Sequence, residues 1–180
     1  MTPKQIHIPV RLDAKTFKRF SRFDTFRLRR RWVRPAVFAL ILAAFAAIAL
    51  VSRRPQAGLI AAVLLAVGLG LPLVYFGTYF SQLNAQAERQ KLSPARRVYD
   101  VTLDFDGVRV ENVQVKESPQ ALRWDDVWSA WRVKGCVYLY ASPTRAYLLP
   151  DGQADAGDDA LWSAITSHMG ARCHDLRQGR

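Results

Sequence analysis

The side chains most able to do chemistry in this sequence are two cysteines, three histidines and a few adjacent carboxylates. His168, Cys173 and His174 lie close together near the carboxy terminus, and Cys136 is the other thiol. They form a conceivable metal-ligand set, but their spacing fits no common zinc pattern. The alternative is a frayed helix end. Asp125-Asp126 offers two neighbouring carboxylates for acid–base work. Adjacent acids also start strands and cap turns, and nothing in the sequence supplies them with a cleft or a catalytic partner. Asp100, Asp104 and Asp106 read as hairpin charges. There is no glycine-rich phosphate loop, no nucleophile elbow and no histidine pair at metal spacing. The expectation is therefore a protein that is not an enzyme and needs no metal or cofactor. An enzyme with an unrecognised site is the alternative.

Two other groups of residues suit contact better than catalysis. Arg27, Arg29, Arg30, Arg31 and Arg34 stand immediately before a long apolar run. Cations there set membrane topology and meet anionic lipid headgroups. Trp128, Trp131 and Arg132 form the second group. On an alternating strand Val127, Ser129, Trp131 and Val133 face one way, and Trp128, Ala130 and Arg132 the other. One of the two tryptophans must then lie outside the core, and an exposed tryptophan beside Arg132 would anchor a partner. The alternative is that the amino-terminal arm or the membrane surface covers it.

The elements that position these residues begin with two apolar stretches. Ala36–Val51 and Ala57–Phe80 contain no charged residue and are separated only by Ser52-Arg53-Arg54-Pro55-Gln56. At ~1.5 Å per residue they reach roughly 24 Å and 36 Å, against a hydrocarbon core of ~30 Å. So short a link makes the two helices antiparallel. A buried hairpin in a soluble protein is the alternative, but a chain of 180 residues has little other surface to cover two helices that are apolar all round. Pro35 suits the first turn of the first helix, and Pro72 predicts a kink in the second. Ala39, Ala43 and Ala47, and Ala62, Ala66 and Gly70, are small-residue stripes that would pack the hairpin on itself; the same stripes also fit a homodimer.

The net charge of +11 is concentrated at the ends of this hairpin. Residues 1–34 carry +9, the link +2 and residues 88–97 +3, whereas residues 98–180 carry −3. The positive-inside rule then places both termini in the cytoplasm. A nucleic-acid binder would carry the basic face on its own folded domain, so nucleic acid is not expected as a partner. No cleavable signal peptide or lipidation motif is recognisable, and two distant cysteines make no disulfide framework.

Within the arm, Ile6, Ile8, Val10 and Leu12 alternate with polar residues and with Pro9, which predicts an edge strand over 6–12. Asp13 reads as the N-cap of an amphipathic helix at about 14–30. Its Phe17, Phe20, Phe23 and Phe26 lie either on the inner membrane surface or on the soluble domain. Beyond the hairpin, a polar helical extension runs to Pro94. The period then changes to two: Val98–Phe105, a turn at Asp106-Gly107, a return through Val108, Val110, Val113 and Val115, then Ala121–Trp124, Val127–Lys134, Cys136–Ala141 and Ala146–Leu149. An amphipathic helix carrying Leu161, Trp162, Ile165 and Met169 follows.

The run Trp124-Asp125-Asp126-Val127, Val137-Tyr138-Leu139-Tyr140 and Tyr147-Leu148-Leu149-Pro150, ending in a helix, resembles the carboxy-terminal part of the YcxB-like family. Those are bacterial membrane proteins with two helices and a pleckstrin-homology-like domain. After Pro150 the acidic Asp151-Gly152-Gln153-Ala154-Asp155 replaces the basic and aromatic residues frequent in the family. That loop is expected to be flexible and argues against a phosphoinositide-type pocket at that edge. The resulting expectation is a membrane α-helical hairpin plus an α+β fold, with a pleckstrin-homology-like small β-sheet or barrel domain closed by a carboxy-terminal helix. Its parts are a basic arm at 1–34, the hairpin at 35–81, a helical linker at 82–94 and the soluble domain at 95–180. The expected function is interaction with a protein or with anionic membrane lipid from a bacterial inner membrane. The alternative is an immunity or accessory protein that neutralises a toxin there. If an edge of the sheet is open, Ile6–Leu12 is the segment to fill it.

Overall fold

Backbone pairing between the two ends of the chain organises the soluble part. A computed structural model describes residues 5–30, 32–52, 55–89, 92, 94–113 and 118–177. They fall into two units, one formed by residues 1–20 and 91–180 and the other by residues 21–90. Arg31, Arg53, Arg54 and Val115 lie outside the described residues.

In the first unit, β1 (Ile6–Leu12) is followed by α1 (Ala14–Arg22), which begins in this unit. Asp13 caps α1, its carboxylate accepting the Thr16 N–H at 2.7 Å; hydrogen bonding to the Thr16 side chain first, and to its N–H second, holds the carboxyl below its usual range. After the hairpin come β2 (Arg96–Leu103), β3 (Gly107–Asn112), β4 (Gln120–Arg123), β5 (Ser129–Val133), β6 (Cys136–Ser142), β7 (Arg145–Pro150), α4 (Asp158–Met169) and β8 (Cys173–Asp175). They build two four-stranded sheets, in the orders β1-β2-β3-β4 and β7-β6-β5-β8. All pairings are antiparallel except β5 with β8. So β1 does pair with β2, Ile8 opposite Val101, with the whole hairpin between them in sequence.

The alternation of β1 explains its place. Ile6, Ile8, Val10 and Leu12 are all buried, and Ile8 and Val10 are fully so. Pro9 shares the backbone phase of His7 and Arg11, whose amides face away from β2, so its missing donor costs β2 nothing. That outer edge is covered. Gln153 accepts the Arg11 N–H at 2.7 Å and donates to the Arg11 carbonyl at 3.0 Å. Asp155 accepts the His7 N–H at 3.1 Å, and its own amide donates to the His7 carbonyl at 3.2 Å. The segment expected to be a flexible acidic loop therefore completes the edge of the sheet.

The two sheets are tied by tyrosines. The Tyr99 hydroxyl of β2 donates to the Leu148 carbonyl at 3.0 Å and accepts the Leu148 N–H at 2.8 Å, both on β7. Tyr147 reaches Gln120 of β4 at 2.9 Å. Strand β6 is buried from Cys136 to Tyr140, on both faces. Phe20 of α1 packs against one of these faces, 5.1 Å from Tyr138 and 6.1 Å from Tyr140 between ring centres. Leu161, Ile165 and Met169 form the buried side of α4.

The β2–β3 turn differs from the expected Asp-Gly hairpin. Leu103 pairs with Val108, which puts Phe105-Asp106 at the tip and Gly107 in the strand. Asp104 accepts the amides of Asp106 and Gly107. Gly107 is required by proximity, because a Cβ there would lie 2.0 Å from the Leu122 carbonyl oxygen of β4. Gly135 is required by conformation, with φ of 86° in the β5–β6 turn.

The second unit holds α2 (Val33–Val51) and α3 (Ala57–Arg89). Both are long and apolar enough to cross a membrane, and only 6% and 11% of their most apolar windows is buried. Leu40, Val51 and Leu73 are 70–81% exposed, which no core helix of a soluble protein would allow. Pro35 lies in the first turn of α2, as its missing amide requires. Pro72 is accommodated inside a continuous α3. The small residues that pack the hairpin coincide only in part with the expected stripes, of which Ala39 and Gly70 are half-buried. Ala46, Ala57 and Ala61 are buried, and a Cβ on Gly68 would meet Leu42 at 3.1 Å. Ala43, Ala47, Ala62 and Ala66 are exposed. Ala57, Ala61 and Gly68 are spaced four and seven residues apart, one face of α3, and the short link selects which faces meet.

The expected helix at 14–30 also changes character. It is α-helical to Arg22 and a single π-type turn over Phe23–Leu28, with the Arg29 amide bonded to the Asp24 carbonyl at 2.9 Å.

Replacing Ile8 with Ala is expected to destabilise the soluble domain by about 2–5 kcal/mol, although the residue lies far in sequence from the rest of that domain. Urea unfolding of the full chain, followed through near-ultraviolet circular dichroism, checks it. Gly107→Ala is expected to cost on the order of 2 kcal/mol by forcing β4 aside.

Candidate functional site

The basic segment that precedes α2 is fastened to the other helix of its unit. Tyr79 of α3 donates to the Ser21 carbonyl at 2.9 Å, and Thr25 lies within hydrogen-bonding distance of the same hydroxyl at 2.9 Å. Phe26 stacks on Phe76 with ring centres 5.8 Å apart. The phenylalanines thus divide their work, Phe20 packing on β6 and Phe26 on α3. The Trp32 indole donates to the Phe26 carbonyl at 3.2 Å and closes the turn into α2.

This folding gathers part of the arginine run. Arg29, Arg30 and Arg34 line a cavity of about 550 Å³ with Pro35 and Tyr75. Arg29 is held by Asp24, its Nε 2.9 Å from the carboxylate. Arg30 and Arg34 are exposed. Arg30 has φ of 46°, a left-handed backbone that costs a non-glycine residue of order 1 kcal/mol. Arg27 is exposed and does not line the cavity, and Arg31 lies outside the described residues. No acidic side chain lines the cavity among the described residues.

The second group is separated by the structure. Trp128 precedes β5 and is 43% exposed, with its ring edge-on to Tyr140. Trp131 is half-buried and stacks on His174 at 4.1 Å. Arg132 is only 9% exposed, so the exposed pair of tryptophan and arginine does not form. Its guanidinium bonds Asp159 in the first turn of α4, lies 3.8 Å from Asp175 of β8 and sits over the Trp162 ring. Alternation does set Arg132 on the face of the buried Ala130; the expected pair fails because Trp128 lies outside the strand, which begins only at Ser129, and because Asp159 and Asp175 draw Arg132 inward.

Asp125 and Asp126 are exposed on that turn. The turn exists for backbone reasons. Arg172 donates to the carbonyls of Trp124, Asp125 and Val127 at 2.6–3.1 Å. Sequence reasoning missed Arg172, because its three acceptors lie more than forty residues away. It also missed β8, taken as a frayed helix end, since three residues carry no periodic signal.

The cysteines and histidines do not converge. His168 stacks on Trp124 at 4.7 Å, and among the described residues no group of three His, Cys, Asp or Glu side chains could hold a metal ion. Burial pushes the Cys136 thiol from its usual 9.0 up to about 12, the reverse of what a thiolate ligand needs. Burial raises the Tyr99 and Tyr138 phenols as well. In each case the fold favours the neutral form. For Cys136 the stability this confers is complete below about pH 9 and is lost as pH climbs through 12, and the two tyrosines lose theirs at higher pH. The soluble domain is therefore expected to lose stability progressively above pH 9, and Cys136 to resist maleimide at neutral pH until the domain is unfolded. Unfolding midpoints across the alkaline range, with Cys136→Ala flattening the first part of the decline, check both.

No protein family, no curated protein and no solved structure matches this chain.

Proposed function

We propose that this chain is a non-enzymatic protein of a bacterial inner membrane whose hairpin presents a pleckstrin-homology-like domain to the cytoplasm for interaction with a protein or lipid partner. The carrying observation is the surface of the hairpin, two apolar helices with large side chains exposed along their length and cations at both ends. Water does not tolerate such a surface, and a bilayer requires it. The pairing of β1 with β2 supports two crossings. Strands in one sheet lie on one side of a membrane, so the chain between them crosses it an even number of times. The charge asymmetry supports the cytoplasm as that side. The two sheets and α4 make an α+β domain, its pleckstrin-homology-like identity rests on the YcxB-like resemblance alone, and Trp128 is an exposed aromatic available to a partner.

Sealed membrane vesicles test the arrangement. Protease is expected to remove the soluble domain from inverted vesicles and to leave it intact in right-side-out ones, with the hairpin resisting a urea wash in both. Digestion from the outer side would reverse the topology, and release by the wash would end the membrane reading.

A further inference from the structure

The cavity between the basic turn and Tyr75 has the size and chemistry of a headgroup site. Its volume of about 550 Å³ falls within the usual range for small-ligand pockets. Three arginines line it, and the planar fork of arginine matches two oxygens of a phosphate at once. Arg34 and Pro35 stand in the first turn of α2, where the helix dipole adds positive potential. Asp24 offsets the charge of Arg29, so Arg30 and Arg34 set the net charge of the site. The cavity opens beside apolar helix surface: Val37 and Phe38 on α2 and Leu71 and Val74 on α3 are 40–64% exposed. A free phosphate would leave that surface bare, whereas the acyl chains of a lipid continue along it.

We propose that this cleft holds the phosphate of one anionic phospholipid, with Arg30 and Arg34 as its principal ligands and Arg29, positioned by Asp24, as the third. The proposal rests on the membrane reading above and places lipid recognition on the hairpin. The backbone at Arg30 supplies an unusually clean variant. Glycine is at ease at a φ of 46°, so Arg30→Gly removes the guanidinium without straining the fold.

The test uses the full chain reconstituted in nanodiscs of phosphatidylcholine doped with phosphatidylglycerol, released into mild detergent and weighed by native mass spectrometry. Wild type is expected to retain phosphatidylglycerol over phosphatidylcholine. Arg30→Gly combined with Arg34→Gln is expected to lose about tenfold or more of that preference. Arg109→Gln with Arg123→Gln removes the same charge from the soluble domain and is expected to change nothing. Inorganic phosphate and glycerol 3-phosphate are added as soluble competitors, and neither should displace the lipid. Equal retention of both lipids, or a preference that survives the Arg30 and Arg34 variant, overturns the headgroup site while leaving the membrane reading intact. Displacement by inorganic phosphate overturns the lipid assignment in favour of a soluble anion. A chain that never enters the nanodiscs overturns both.

Discussion

Everything else in the soluble domain depends on seven residues near the amino terminus pairing with a strand that follows the hairpin. β1 brings four buried aliphatic side chains to the first sheet, and without it β2 would present an open edge over an incomplete core. The cost is a long closed loop, which grows only slowly with length: each doubling adds about 0.6 kcal/mol. Burying Ile8 and Val10 completely offsets that, at roughly 1.5–3 kcal/mol per side chain. The loop after β7 then seals the outer edge of β1 through Gln153 and Asp155. A domain that is discontinuous in sequence is thus continuous in its hydrogen bonding.

Four arginines of the soluble domain are used internally. Arg132 reaches Asp159 and Asp175, Arg177 reaches Asp151, Arg97 reaches Asp100, and Arg172 serves three carbonyls. Arg132 and Arg172 tie together elements that hydrophobic contact alone would leave loosely registered, such as the parallel β8 against β5. The arginines before α2 are arranged differently, around a cavity with no acidic lining among the described residues. The same residue type therefore serves as internal cross-brace in one unit and as a positively charged wall in the other.

The parts legible in the sequence are those encoded locally. Two uncharged runs separated by five residues announce a helical hairpin, and the two-residue period announces β1, β2, β5, β6 and β7 within a residue or two. The parts that escaped depend on distant backbone. Gly107 reads as a turn glycine, yet its constraint is the Leu122 carbonyl fifteen residues on. The loop after Pro150 reads as flexible because its partners are His7 and Arg11, at the other end of the chain. Arg132 reads as a surface residue because the acids that bury it sit on α4 and β8. In the candidate site, the arginine run is visible in sequence, but which members share a wall is set by a π-type turn with no sequence signature of its own.

The order of the strands also fixes an order of events at the ribosome. β1 is synthesised before its partner β2, which begins 84 residues after β1 ends, with both apolar helices in between. At an elongation rate of about ten residues per second the delay is on the order of ten seconds. Throughout it β1 has no sheet to join, and Pro9 with the charged Arg11 guards it against pairing with a stranger. Both apolar helices are therefore made before the sheet that flanks them can close, and the domain completes itself around a hairpin that is already formed.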